Sequence, residues 1–176
     1  MNVSLVVTLI GSDRPGLVSA VAARAAAASA NWLESSMAQL AGKFAGIVRL
    51  EVAEDGVGKL EAALRELEAE GLQLRIERGS APAAAQPRRL TTIELLGLDR
   101  PGIVSQISSV LARHGASIER LETSCESASF SGEPLFRAHV EVFVPASVQP
   151  ASLQSELEAL ANELMVDLKL EADTAH

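Results

Sequence analysis

Apolar residues follow two rhythms along this chain, and the same succession of rhythms occurs twice. "VSLVVTLI", Val3 to Ile10, is apolar on both alternating faces, which predicts a strand inside a sheet rather than at its edge. Leu17, Val18, Val21, Ala25 and Ala28 then recur at helical spacing. The stretch from Ala20 to Ala30 is rich in alanine, which favours helix and leaves a smooth surface that a neighbour can approach. A second strand is expected from about Asn31 to Leu40, with "AGK" (Ala41 to Lys43) as a short hairpin turn. Val48, Leu50 and Val52 alternate with Ile47, Arg49 and Glu51 as a third strand, broken by Gly56 and Gly58. Val57, Leu60, Leu64 and Leu67 mark a second helix with Gly71 as its C-cap. Leu72, Leu74 and Ile76 alternate as a last strand. The order is βαββαβ.

The second half repeats it. Ile93 and Leu95 lie 86 residues after Val7 and Leu9. Ile103, Val104, Ile107, Val110, Leu111 and His114 mark a helical face. Ala138, Val140, Val142 and Val144 form an alternating strand, Leu153 to Leu164 a helix, and Val166, Leu168 and Leu170 the closing strand. Each half therefore predicts the ferredoxin-like plan, an α+β unit with an antiparallel sheet and two helices on one face. The other sheet face carries Val6, Thr8 and Ile10 in one copy and Thr92, Glu94 and Leu96 in the other, a mixture that suggests partial cover. The expected domains are 1–78 and 90–172, joined by an extended linker over 79–89. The hairpin "SASFSGEP", Ser127 to Pro134, is longer and more polar than its counterpart, as loops that carry a contact or tolerate insertion often are.

Composition narrows the classes. The 176 residues are 48% hydrophobic and only 3% aromatic, so aliphatic packing must stabilise two small cores. Such small halves gain from packing on each other or on a second chain, which makes a homodimer one option. A net charge of −8, with Arg88-Arg89 the only tight basic cluster, argues against direct nucleic-acid binding. One cysteine, Cys125, excludes an internal disulfide framework. No basic leader and no run of about 20 apolar residues points to a membrane, so a cytoplasmic, soluble protein is expected.

The candidate chemistry lies in the turn after each first strand, "GSDRPGLVS" from Gly11 and "GLDRPGIVS" from Gly97, identical at seven of nine positions. Asp13 and Asp99 suit helix N-caps, and Pro15 and Pro101 suit the first turn. Gly16 and Gly102 let another group approach the backbone. The following amides, at the positive end of a helix dipole, make a small anion site that a carboxylate would fit. Local capping explains this much without a ligand. It does not require Arg14 and Arg100, which suit a surface charge, an inter-domain ion pair or a carboxylate clamp.

The βαββαβ order with "DRPG" after the first strand resembles the ACT domain, a regulatory module that usually binds amino acids. Two copies cover nearly the whole chain. "ANWLESSMAQLAGKFAGIVRLEV", Ala30 to Val52, is further similar to the glycine cleavage system transcriptional repressors and their tandem-ACT relatives. The resemblance implies ligands at an interface near the first strand–helix loop. One site would use Asp13, Arg14, Pro15, Gly16, Leu17 and Val18, with Asn31. The other would use Asp99, Arg100, Pro101, Gly102, Ile103 and Val104, with the shorter Ser117 where the first has Asn31. It also implies a non-enzymatic regulator that binds a small amino acid, glycine by family association only. The implied partner is a DNA-binding activator of glycine cleavage genes, reached by protein contact.

Other chemistry is less well supported. His114, His139 and His176 lack metal-ligand spacing, and Cys125 has no histidine at a telling position, so no metal site and a half-buried, inert thiol are expected. No nucleotide or hydrolase motif and no nucleophile–base pairing stands out, and no cofactor is expected. A ligand-free ACT-like oligomerisation module is the alternative reading. An enzyme related to ACT-bearing phosphatases or deformylases would need a catalytic domain for which the chain leaves no room.

Overall fold

The first strand of each half lies inside its sheet, flanked by two other strands, as its apolar run predicts. The computed structural model describes residues 1–79, 87–127 and 133–172. The chain divides into two units, Met1–Ala83 and Ala84–His176.

In the first unit, β1 (Asn2–Ser12), α1 (Leu17–Ala27), β2 (Asn31–Leu40), β3 (Lys43–Ala53), α2 (Val57–Arg65) and β4 (Leu72–Arg78) follow in order. The antiparallel sheet runs β2-β3-β1-β4. Leu5, Val7 and Leu9 turn to one face and are buried with Val48, Leu50 and Val52 of β3. Leu17, Val21 and Ala25 of α1 and Val57, Leu60 and Leu64 of α2 close over them. Each fully buried leucine contributes about 1.5–3 kcal/mol, and the half-buried Trp32 and Phe44 pack against this aliphatic core. The expected second helix is shorter than its apolar stripe. After Arg65 the chain tightens into a 3-10 turn over Glu66–Glu68, which still buries Leu67, and Gly71 at φ +89° turns it into β4.

The second unit repeats the plan with β5 (Arg88–Leu98), α3 (Ile103–Arg113), β6 (Ser117–Ser127), β7 (Pro134–Pro145), α4 (Pro150–Leu164) and β8 (Val166–Ala172). Its sheet runs β6-β7-β5-β8. Arg88 and Arg89, expected in the linker, are the first residues of β5, and the Arg88 guanidinium lies 3.7 Å over the Phe143 ring. The remaining linker residues 80–86 and the hairpin residues 128–132 fall outside the described residues. Both β2 and β6 carry an irregularity at the same place, between Trp32 and Glu34 and between Ile118 and Arg120.

The two repeated glycines before the DRPG turn have a packing role. A Cβ on Gly97 would lie 2.5 Å from Val166 Cγ1 and 2.9 Å from Val166 Cα. One on Gly11 would lie 2.8 Å from Leu72 Cδ2 and 2.9 Å from the Gly71 carbonyl oxygen. The closing strand of each unit thus starts directly against a bare backbone.

Helix α4 is tied to the end of α3 by Glu156. Its carboxylate accepts a hydrogen bond from Arg113 and lies 2.7 Å from His114 Nε2. The Arg113 hydrogen bond, then that of His114, holds the Glu156 carboxyl below its ordinary 4.5.

Two outcomes are expected. Gly97→Ala and Gly11→Ala should each lower the unfolding free energy by about 1–3 kcal/mol, the usual cost of overpacking, measured by urea titration. A depressed carboxylate stabilises the fold above its unfolded pKa and loses that stabilisation as pH falls through the folded one. Melting temperature should therefore decline less steeply below pH 4.5 in Glu156→Gln than in the parent chain.

Candidate functional site

The backbone, and not the aspartate, starts each leading helix. Gly16 and Gly102 are the N-cap residues, at φ +89° and +97°, a left-handed conformation that other L-residues adopt only with strain. No side chain caps either helix. The expected N-cap role of Asp13 and Asp99 is therefore corrected: both lie three residues ahead of the cap, too early to reach the first-turn amides. Pro15 and Pro101 are corrected likewise, standing in the turn before the cap rather than in the helix. The left-handed turn at Gly16 and Gly102 leads directly into the helices, which start at Leu17 and Ile103.

Asp13 is used elsewhere. Its backbone N–H donates to the Gly42 carbonyl at 3.0 Å, and its carboxylate accepts from Gln39 Nε2 at 2.6 Å. The turn is thereby fastened to the β2–β3 hairpin. Sequence reasoning missed Gln39, which carries no motif signal because the pairing depends on sheet register. Asp99 makes the equivalent backbone bond to the Pro134 carbonyl at 2.9 Å. It also neighbours Cys125, which is exposed rather than half-buried because it lies on edge strand β6. Desolvation, then the Asp99 carboxylate, pushes the Cys125 thiol above its ordinary value, which disfavours the reactive thiolate.

The arginines divide the copies. Arg14 Nη2 pairs with Glu70 Oε2 at 2.9 Å, and the other oxygen of Glu70 takes Arg24 Nη2 at 2.6 Å. Glu70 already supplies Arg14 with a carboxylate. In the second unit the strand register puts Leu164 at the place of Glu70, since Gly97 faces Val166 as Gly11 faces Leu72. Arg100 instead reaches the thioether of Met165 at 3.9 Å, and no carboxylate pairs with it among the described residues.

Leu17 and Ile103 are buried core residues, whereas Val18 and Val104 are exposed. Ile103 and Val104 line an apolar crevice between α3 and β6 of about 10 Å³, room for a water-sized group and no amino acid. Asn31 does not join the loop within its own unit. It pairs with Glu51, which also faces Ser4, at the far end of the sheet from Ser12. Eight residues of strand separate the two levels by about 26 Å. Ser117, level with Leu90 through Phe143, is equally remote from Asp99.

Residues 4–77 and 91–162 each match a model of the ACT domain. The chain belongs to the ACT-domain family, in tandem. It is 24% identical over 162 residues to the glycine cleavage system transcriptional repressor of Escherichia coli (strain K12), covering 91% of this chain and 85% of that protein. A crystal structure of an unknown protein from Galdieria sulphuraria matches with a TM-score of 0.89 and 34% identity, over 99% of this chain and 100% of that one. The structure of a candidate glycine cleavage system transcriptional repressor matches with a TM-score of 0.71 and 21% identity, over 99% of both chains, which speaks for the fold alone. Among the described residues of the tandem ACT chain no helix is long and apolar enough to cross a membrane.

The caps generate a prediction. A Cβ on Gly16 would meet nothing within 4 Å, so any cost there is conformational rather than steric. Gly16→Ala should lower stability by about 1–2 kcal/mol in urea titration, and Gly16→Asn by clearly less.

Proposed function

We propose that this tandem ACT chain is a non-catalytic regulator that binds a small amino acid, glycine among the candidates. It acts on glycine cleavage genes by contacting a DNA-binding activator protein rather than DNA. Similarity to the Escherichia coli repressor along 91% of the chain supports this reading, as does the net charge of −8, which opposes contact with phosphates.

One observation carries the ligand part: each leading helix starts without a side-chain cap, beside an arginine. Asp99, Arg100, Pro101, Gly102, Ile103 and Val104 frame the stronger site, because no carboxylate pairs with the Arg100 guanidinium among the described residues. The first-turn amides and Arg100 would then share one ligand carboxylate. Asp13, Arg14, Pro15, Gly16, Leu17 and Val18 frame a weaker site, where a ligand must displace Glu70 from Arg14. Bound metabolite biases the activator-binding state only through unequal affinity for the protein's alternative arrangements.

The Glu70 pairing favours a second reading for the first copy alone, in which that loop is a structural latch and its domain a ligand-free interaction module.

Isothermal titration of the full chain with glycine, serine and other amino acids separates these readings. Binding should occur, and Arg100→Ala should weaken it at least about tenfold, the loss of one charge-assisted hydrogen bond. Arg14→Ala should weaken it by less than about threefold. If no amino acid binds the parent chain, sensing fails and the module reading stands for both copies. Affinity capture on the immobilised chain, with and without glycine, should recover a DNA-binding protein in a glycine-dependent amount.

A further inference from the structure

The residue that meets Arg100 carries a side chain where the backbone disfavours one. Met165 lies between α4 and β8 at φ +56°, in the left-handed region that glycine occupies freely and other residues seldom enter. The first unit has Gly71 at the corresponding place, immediately before its last strand, at φ +89°. Leu164 and Val166, on either side of Met165, are buried, so the core holds its backbone in position. The Met165 side chain is no part of that core, and the residue is 62% exposed. Packing gains nothing from a methionine here, and glycine would suit the turn better. A side chain kept at such a position points to a use other than packing.

What it touches is the arginine of the second DRPG turn. The thioether sulfur lies 3.9 Å from Arg100 Nη2 and is a weak acceptor. In the first unit the Glu70 carboxylate takes Arg14 at 2.9 Å. The second unit thus sets an oxidisable atom where the first has a permanent acceptor. Exposure opens that sulfur to peroxides. The O–O bond of the peroxide breaks and one of its oxygens forms an S–O bond. Sulfur gives up two electrons, and the other oxygen leaves as water with both protons. The sulfoxide oxygen is a polar acceptor in place of an apolar thioether. The 3.9 Å gap is wide enough for it to stand between sulfur and nitrogen. A hydrogen bond from the guanidinium of ordinary length, about 2.8 Å, then closes the contact.

We propose that Met165 is a peroxide-responsive modification site whose sulfoxide captures the Arg100 guanidinium. Oxidation gives the second unit the acceptor that Glu70 provides in the first, and so withdraws Arg100 from an incoming carboxylate. Reduction of the sulfoxide by a thiol-dependent reductase restores the thioether and releases the guanidinium. The consequence for ligand affinity rests on the amino-acid reading above, whereas the capture of Arg100 does not.

Peptide mass spectrometry of the full chain treated with hydrogen peroxide should show one added oxygen on Met165 before any on Met37, which is half-buried against the first core. Phenylglyoxal, which labels free guanidinium groups, should then label Arg100 at least about threefold more slowly than in the untreated chain, the weight of one hydrogen bond. Arg14, already paired with Glu70, should label at an unchanged rate. Met165→Leu, with its melting temperature retained, should lose the slowing at Arg100. That variant keeps Cys125, the exposed thiol beside Asp99, so an effect that persists in it belongs to the thiol. Glycine titrated into the oxidised parent chain should bind more weakly by a similar factor. Equal labelling of Arg100 before and after oxidation overturns the proposal, as does slowing that persists in Met165→Leu or oxidation of Met37 ahead of Met165. Slowed labelling in a chain that binds no amino acid supports the capture and sinks the sensing reading instead.

Discussion

The close contact between a side-chain-free position at the end of the first strand and the start of the last strand sets the geometry of both units. Gly11 admits Gly71 and Leu72, and Gly97 admits Val166, at distances that no Cβ would allow. That contact fixes where the last strand begins, and so which residue just before it stands beside the arginine of the DRPG turn. In the first unit Glu70 pairs with that arginine, whereas in the second it meets the thioether of Met165. Packing of bare backbone thus decides the electrostatics of the candidate site.

Divergence between the copies follows a physical logic. Core positions stay apolar in both, because close packing penalises any change of volume or polarity there. The left-handed glycine stays, because the turn into the helix requires it. Freedom remains at the arginine's neighbour and on the open sheet face, where a substitution alters charge without disturbing the core. At these places the copies differ: Glu70 pairs with Arg14 in one whereas Arg100 meets Met165 in the other, and Thr8 and Ile10 stand where the second copy has Glu94 and Leu96.

Much of the fold was legible in the residues. The period of two in β1, β3 and β4 and the helical stripe of α1 are imposed by local backbone sterics, so they appear in any short window. The repeated turn announced the duplication. The end of α2 was misread, because Leu67 keeps the helical stripe although the backbone has already tightened into a 3-10 turn. The N-cap was misplaced because aspartate caps helices often, and only the left-handed angle of Gly16 shows that the helix starts later.

The sequence by itself determined the βαββαβ order, the two cores and the position of the paired turns, since each depends on neighbours within a few residues. Tertiary structure alone decided that Glu70 neutralises Arg14, that Gln39 holds Asp13, that Cys125 is exposed and that Asn31 lies a sheet length from the loop. Each of these joins or separates residues through sheet register and chain closure. Such long-range pairings arise from the summed packing of the whole unit, and no local pattern encodes them.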